Sequence, residues 1–329
     1  RAPSKYADQF RNIVIAHRGG QVAPMSKEPV FPENSLAAFR WAAQNGGADA
    51  IELDIHLSKD NVPMVNHDPN IFRHFDGQGL VSSMTRAELQ SIPYRSEPIF
   101  PPVLTSAENA YEQQEVKNHH TVIHPKYIQS ERMPTLVQVL DLLEHEAPHM
   151  KLMIEVKERT RVSEVCRELS ALYRAKPWMY ERCFVASFNP MVLYQLRRLE
   201  PNVVTSFLFI NECTGHLIKG ARDLKISIPA WFEFNYPVRW LIDDLIWNLG
   251  TTRIGLNLLG VNLSACEVKA LTENQIRNDR MNGIITSTWV ANNEQQKEWL
   301  LQMGVTVITD VQFSGGSCSV SPRPQTPFN

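Results

Sequence analysis

The sequence predicts an α/β chain folded as a (β/α)8 barrel with an insertion lobe after its second strand, and three observations lead there. Strand-like and helix-like segments alternate along the 329 residues. Eight principal strands can be counted, each followed by a helix or helical segment, which suits a closed barrel better than an open sheet. Polar groups also stand at the ends of short apolar runs: Val14-Ile15 before His17, Ala50-Ile51 before Glu52, Met64-Val65 before His67. Strand ends are where parallel α/β sheets place their chemistry.

Taken in order, Ile13 to Ala16 reads as a strand. Asn34 or Ser35 can cap a helix to about Asn45, with Leu36, Phe39, Ala43 and Trp41 inward, and Gly46-Gly47 stops it. Ala50 to Asp54 is the second strand and Val62 to Asn66 a short β extension. Thr135 opens a helix through about His145, with Leu136, Val139, Leu140 and Leu143 on one face. Leu152 to Glu155 is a strand, followed by a helix from Val162 to about Arg174. Cys183 to Ser187 and Val203 to Phe207 flank a helix from about Pro190 to Arg198. Leu256 to Leu263, Gly283 to Thr288 and Val305 to Ile308 complete the strands, separated by helices near Glu267 to Met281 and Asn293 to Met303.

The barrel accounts for residues 13–313, after an N-terminal extension over 1–12 and before a Ser-, Pro- and Gly-rich tail over 314–329 expected to be disordered. Residues about 70–133 lack periodicity and are too long for a bare loop, so they read as an insertion over the active face. Residues 208–250 carry Trp231, Phe232, Phe234, Tyr236, Trp240 and Trp247. A helix on the barrel's outer wall and a lip that meets lipid or an acyl chain are the two accounts of that stretch.

The chain is 43% hydrophobic and 21% charged, with 33 basic and 35 acidic residues and a formal charge of -2. It advertises no face for nucleic acid. Five cysteines lack metal-binding spacing and read as reduced. No apolar run is long enough to span a bilayer. The chain starts at Arg1 rather than Met, and this start together with the family resemblance given below leads us to expect an anchor upstream and a membrane-associated native protein. The sequon at Asn262 lies in an apolar run and is expected to be unmodified.

Glu52 and Asp54 are two apart on one strand and so share a face. Glu155, ending another strand, offers a third carboxylate. An all-carboxylate set favours one divalent cation, Mg²⁺ or Ca²⁺, over zinc. In the competing account, these carboxylates merely pair with cations such as Lys157; the shared register with His17 and His67 favours the metal. With an ordinary pKa near 6.5, His17 and His67 suit a base and an acid. Arg18 supplies a planar fork for phosphoryl oxygens and Lys157 a point charge. Glu33 and Asn34 either cap the helix or hold the substrate or orient Arg18. His56, His74, His119, His120, His124, His145, His149 and His216 have no such register and read as surface or structural.

These residues resemble the glycerophosphodiester phosphodiesterase family. The matching pieces are His17-Arg18-Gly19, Pro32-Glu33-Asn34-Ser35, Gly47 through Asp54, His67-Asp68, Glu155-Val156-Lys157, Ser187-Phe188, Thr288 through Asn292 and Ile308-Thr309-Asp310. They extend in the family's order over about residues 13 to 310, and look most like its small, membrane-anchored eukaryotic members. The resemblance implies a metal on Glu52, Asp54 and Glu155, acid–base work by His17 and His67, and a phosphate clamp of Arg18 and Lys157. It also implies that Trp289 walls the pocket. Hydrolysis of glycerophosphodiesters to glycerol 3-phosphate and an alcohol is the activity to expect, with a small-molecule substrate and a membrane surface as partners. A lysophospholipase D-type or sphingomyelinase D-like enzyme acting on acylated, lysolipid-like substrates is the alternative. A long stretch from Gln21 to Phe31 and an unusual segment over 95–130 depart from compact members and bear on substrate choice.

Overall fold

The computed structural model describes residues 1–20, 31–45, 47–96, 129–210 and 236–310. Within these, nine strands form one sheet: β1 Val14–Ala16, β2 Ala50–Leu57, β3 Pro63–Val65, β4 Lys151–Val156, β5 Cys183–Ser187, β6 Val204–Phe209, β7 Leu263–Glu267, β8 Ile285–Trp289 and β9 Thr306–Thr309. Eight of them are parallel and run β1-β9-β8-β7-β6-β5-β4-β2, and β1 pairs with β2 to close the barrel. The ninth, β3, folds back antiparallel on β2. Helices at Leu36–Asn45, Leu136–His145, Val162–Ala175, Pro190–Leu199, Glu273–Met281 and Glu294–Gln302 follow the strands.

Alternation along β2 and β4 sorts the side chains. Ala50 and Met153 join the barrel's inner core with Ile15, Phe184, Leu208, Ala265, Ile285 and Ile308. Ile51, Leu53, Ile55, Leu152 and Ile154 pack in the outer layer against helical Phe39, Leu140, Leu143 and Leu169. The period of two then turns Glu52, Asp54 and Glu155 inward, above the apolar floor. The helix Leu36–Asn45 buries Ala37, Ala38, Phe39 and Ala42, while the expected inward residues Leu36 and Ala43 are only partly covered.

The N-terminal extension seals the end of the barrel opposite the strand carboxyl ends. Phe10, fully buried, meets Phe184 edge-on at 4.9 Å, and its carbonyl accepts from Thr306 Oγ1 at 2.5 Å. Asn262 exchanges two hydrogen bonds with the backbone of Ala2, at 3.2 and 3.1 Å. Burying Phe10 alone contributes about 2 kcal/mol.

One expected strand is misplaced. Leu256 to Leu263 begins as a helix, Arg253–Leu259, and the strand β7 comes only at Leu263–Glu267. Thr252 Oγ1 caps that helix by accepting from Gly255 N, and Gly260, at φ 65°, ends it in the left-handed region. A short apolar run fits a buried strand or a buried helix equally, so its period cannot decide. The helix expected from Glu267 starts at Glu273, where Thr272 caps it.

In the described part of the insertion, Ile71, Phe75, Val81, Leu89, Tyr94 and Met133 form a small core against Met64 of β3. In it the rings of Phe75 and Tyr94 pack tilted at 35°, with centres 4.3 Å apart. Of the 208–250 stretch, Trp231, Phe232 and Phe234 lie outside the described residues, as does the tail over 314–329. A helix occupies Tyr236–Thr251 and packs Ile246 against Phe207, Phe209 and Leu256, while Leu241 and Leu245 are exposed. Cys166, Cys183 and Cys266 are buried free thiols, and Cys213 and Cys318 lie outside the described residues. No helix among the described residues is long and apolar enough to cross a membrane.

Candidate active site

The site is built on the carboxyl ends of β1, β2, β4 and β9. After β1 the chain makes a tight turn over His17–Gly19, in which Arg18 adopts φ 54° and Gly19 φ 90°. A Cβ on Gly19 would lie 2.8 Å from Ala38 Cβ, so the close approach of the following helix requires glycine there. Asn34, also left-handed at φ 57°, closes the next turn by donating its backbone N–H to Arg18 O at 3.0 Å. Its side chain holds Asp54, donating Nδ2 to Oδ2 at 3.0 Å. Ser35 Oγ caps the helix by accepting from Ala38 N at 3.1 Å.

Glu52, Asp54 and Glu155 converge, with one oxygen from each within 4.8 Å of the others. All three are buried. At that separation each pair of carboxylates repels by about 3 kcal/mol, taking an effective dielectric near 20. Lys157 offsets part of this, lying 3.2 Å from Asp54 Oδ1 and 2.6 Å from Glu155 Oε1. Glu52 Oε2 accepts Arg18 N at 2.8 Å, and Oε1 has no hydrogen-bond partner among the described residues. Burial and the neighbouring Asp54 push the Glu52 carboxyl up to about 8. Burial also raises Glu155 against the pull of Lys157. Burial acts on Asp54 too, but Lys157, His67 and Arg18 outweigh it and hold that group well below the usual carboxylate range.

Among the described residues of the site, six carboxyl groups (Glu33, Glu52, Asp54, Asp68, Glu155, Asp310) face three fixed cations (Arg18, Arg73, Lys157). A divalent cation on the triad fits both the charge excess and the unpaired Glu52 oxygen.

Each histidine has its Nδ1 taken by an aspartate. His17 Nδ1 lies 2.5 Å from Asp310 Oδ1, which leaves Nε2 turned to the triad, 4.0 Å from Glu52 Oε2. His67 Nδ1 lies 2.6 Å from Asp68 Oδ1. Burial and Arg18 press His17 down, and Asp310 and Glu52 overcome them, so it sits above its ordinary value. Burial, Arg18 and Lys157 push His67 down to about 3. Asp310 falls to about 2, because His17 and Asn292 outweigh its burial.

Arg18 donates Nη1 to both Glu33 oxygens at 3.2 Å, and its Nε lies 3.6 Å from Asp54 Oδ2. Glu33 also meets Arg73 Nη2 and His74 Nε2, each at 3.0 Å. Burial would raise Glu33, but Arg18, His74 and Arg73 hold it well below its usual range. Glu33 thus holds Arg18 and Asn34 holds Asp54, while Ser35 caps the helix. Trp289, at the end of β8, meets Phe188 edge-on at 5.9 Å, and Phe188 in turn lies 5.9 Å from Lys157 Nζ.

A family model described as the glycerophosphoryl diester phosphodiesterase family matches residues 17–311. This chain belongs to that family. Its relatives include a Bos taurus protein named glycerophosphodiester phosphodiesterase 1, 26% identical over 94% of this chain and 82% of that one. A Mycobacterium tuberculosis protein, named a probable glycerophosphodiester phosphodiesterase 1, is 40% identical over 68% of this chain and 74% of its own. Among solved structures, an Oleispira antarctica phosphodiesterase in complex with the product sn-glycerol-3-phosphate overlays with a TM-score of 0.62. It is 21% identical, with 92% of this chain and 95% of that one covered, and supports the barrel fold.

For this family member, the sequence reading named His17, Arg18, Glu33, Asn34, Glu52, Asp54, His67, Glu155 and Lys157, and the fold brings all of them to one end of the barrel. It overlooked Asp310, Asn292, Asp68 and Arg73 as parts of the site. Asp310 had a signal, since it follows a strand as His17 and His67 do. His74, read as surface or structural, is buried against Glu33. His56 is likewise buried and structural, with Nε2 3.1 Å from His67 O.

Proposed function

We propose that this chain binds one divalent cation, Mg²⁺ or Ca²⁺, through Glu52, Asp54 and Glu155 and hydrolyses glycerophosphodiesters to glycerol 3-phosphate and an alcohol. The observation that carries the reading is the convergence of three buried carboxylates beside His17 in a chain of this family. When bound, the cation supplies charge neutralisation at the phosphodiester and polarises it.

The chain's own groups do the rest. Arg18, fixed by Glu33, directs its guanidinium at a phosphoryl oxygen, and Lys157 adds a second positive charge beside the triad. His17 and His67 divide the proton transfers, one taking the proton of the attacking hydroxyl and the other giving one to the departing alcohol. Because an aspartate holds each Nδ1, both act through Nε2. If the glycerol hydroxyl next to the phosphate attacks, the step is intramolecular and a cyclic phosphate forms for water to open. Trp289 and Phe188 wall the pocket beside Lys157.

The acylated-substrate alternative is not favoured. We also infer a membrane-surface location, supported by the exposed apolar side chains of Leu241, Leu245, Ile254 and Leu258. A full-length product that fractionates wholly with soluble protein would contradict it. The activity is tested on glycerophosphodiesters with several headgroups, beside a long-chain lysolipid, with Mg²⁺ or Ca²⁺ supplied. Release of glycerol 3-phosphate from the soluble diesters is the expected result. Turnover of the lysolipid alone would contradict the proposal.

A further inference from the structure

We infer that Arg73, delivered by the insertion lobe, is a positioning residue that couples the phosphate clamp to His67. It stands on a single 3-10 turn, Ile71–Arg73, capped by Asn70, whose side chain accepts from Phe72 N at 2.8 Å. The lobe's own core keeps that turn in place. Ile71 and Phe75 are buried, Ile71 N donates to Gly79 O at 3.0 Å, and Asp76 N donates to Pro93 O at 2.9 Å.

From there the guanidinium reaches two carboxylates at once. Nε donates to Asp68 Oδ2 at 2.6 Å and Nη2 to Asp68 Oδ1 at 3.2 Å, a fork across one carboxylate. The same Nη2 donates to Glu33 Oε1 at 3.0 Å. Asp68 orients His67, and Glu33 holds Arg18 through both oxygens. One side chain therefore spans the groups that fix the acid–base residue and the phosphate fork.

The bonding also sets the His67 tautomer. Arginine only donates, and its Nη2 lies 3.3 Å from His67 Nδ1, whereas Asp68 Oδ1 lies 2.6 Å away. Nδ1 therefore carries the hydrogen and gives it to Asp68, and the lone pair of Nε2 is left for chemistry. Arg73 holds the Asp68 carboxylate in the orientation this requires. Lysine keeps the charge at position 73 but cannot reproduce the fork. Glu33 retains Arg18 and His74 when Arg73 is lost, so the effect falls on His67 more than on phosphate binding.

The inference rests on the reading of His67 as a proton-transfer group, and the test separates the two. In the full chain with saturating divalent cation, Arg73→Lys and Arg73→Gln should lower kcat about 10- to 100-fold, the scale of a displaced catalytic group. The KM for a glycerophosphodiester should change less than about threefold. Asp68→Asn, which removes the other end of the same fork, should reproduce the loss, and the double variant should be no worse than either single one. In a His67→Ala background, Arg73→Lys should cost the residual kcat far less than it costs the wild type. Nitrogen NMR of labelled His67 should change from a pure Nδ1–H tautomer to a mixture in Arg73→Lys. If His67→Ala is inactive while Arg73→Lys turns over as wild type, this inference alone fails. A loss that persists undiminished in the His67→Ala background would mark Arg73 as merely structural. Wild-type turnover in His67→Ala overturns the underlying reading and this inference with it.

Discussion

Replacing Asp310 with asparagine removes one charge beside His17 while keeping the shape of the side chain, and the surrounding bonds dictate what the amide must do. Asn292 Nδ2 donates to Asp310 Oδ2 at 2.9 Å, and Asn292 Oδ1 accepts from Asp310 N at 2.9 Å. The new amide must offer its oxygen to Asn292 Nδ2, which turns its NH2 to His17 Nδ1. That nitrogen then has to accept, so the hydrogen moves to Nε2 and the imidazolium loses its partner. A hydrogen bond to a charged group contributes about 1.5–3 kcal/mol, or about 10- to 100-fold. With the wrong tautomer added, kcat should fall about 10²- to 10³-fold at saturating substrate, the scale of a lost acid or base. Adding Asn292→Asp to Asp310→Asn gives the amide an acceptor on its far side. Its oxygen can then return to His17, so part of kcat should recover. The assay is steady-state release of glycerol 3-phosphate, with nitrogen NMR of His17 as the structural readout. A kcat within threefold of wild type in Asp310→Asn, or a His17 tautomer that does not move, would refute this reasoning.

Other predictions follow from the same geometry. His17→Ala and His67→Ala should each lose at least about 10²-fold in kcat with an unchanged thermal midpoint, and near wild-type turnover in either would remove that histidine from the mechanism. Away from the site, burial pushes Asp279 up to about 6 although Ser264, Thr286 and Gln275 all donate to it. With the folded value above the ordinary value near 4, the fold binds this proton more tightly than the unfolded chain does. The resulting stability is complete below about pH 4 and is lost as pH rises through about 6, by about 3 kcal/mol. Thermal midpoints followed from pH 4 to 7 should carry this dependence in the wild type and lose it in Asp279→Asn; identical profiles would contradict it.

What the sequence made legible was whatever has a period or a strand end. Glu52 and Asp54 share a face because they are two apart, and Glu155 sits beside Asp54 because β2 and β4 pair in that register. His17 and His67 follow apolar runs. Arg73 and Asp68 were hidden because a 3-10 turn in a lobe without periodicity brings them together, and nothing local marks an arginine that bonds through space to Glu33, 40 residues away. Asp310 stood in a quoted motif but gained a role only when barrel closure set β9 beside β1. The misplaced strand has a similar cause. Leu256 to Leu259 is more apolar than the true strand Leu263–Glu267, whose Ser264 is buried because it bonds Asp279. Local hydrophobicity misreports burial here, because the helix buries Leu256 while leaving Ile254 and Leu258 exposed.

Calorimetric titration of the chelator-stripped protein with Mg²⁺ and with Ca²⁺, run beside the turnover assay on one preparation, tests the central claim most directly. The account predicts one site per chain, turnover of glycerophosphodiesters that disappears on stripping and returns as the site fills, and loss of both binding and turnover in Glu52→Gln and Glu155→Gln. Full activity in excess chelator with no metal in the protein, or undiminished cation binding in Glu52→Gln, would contradict it.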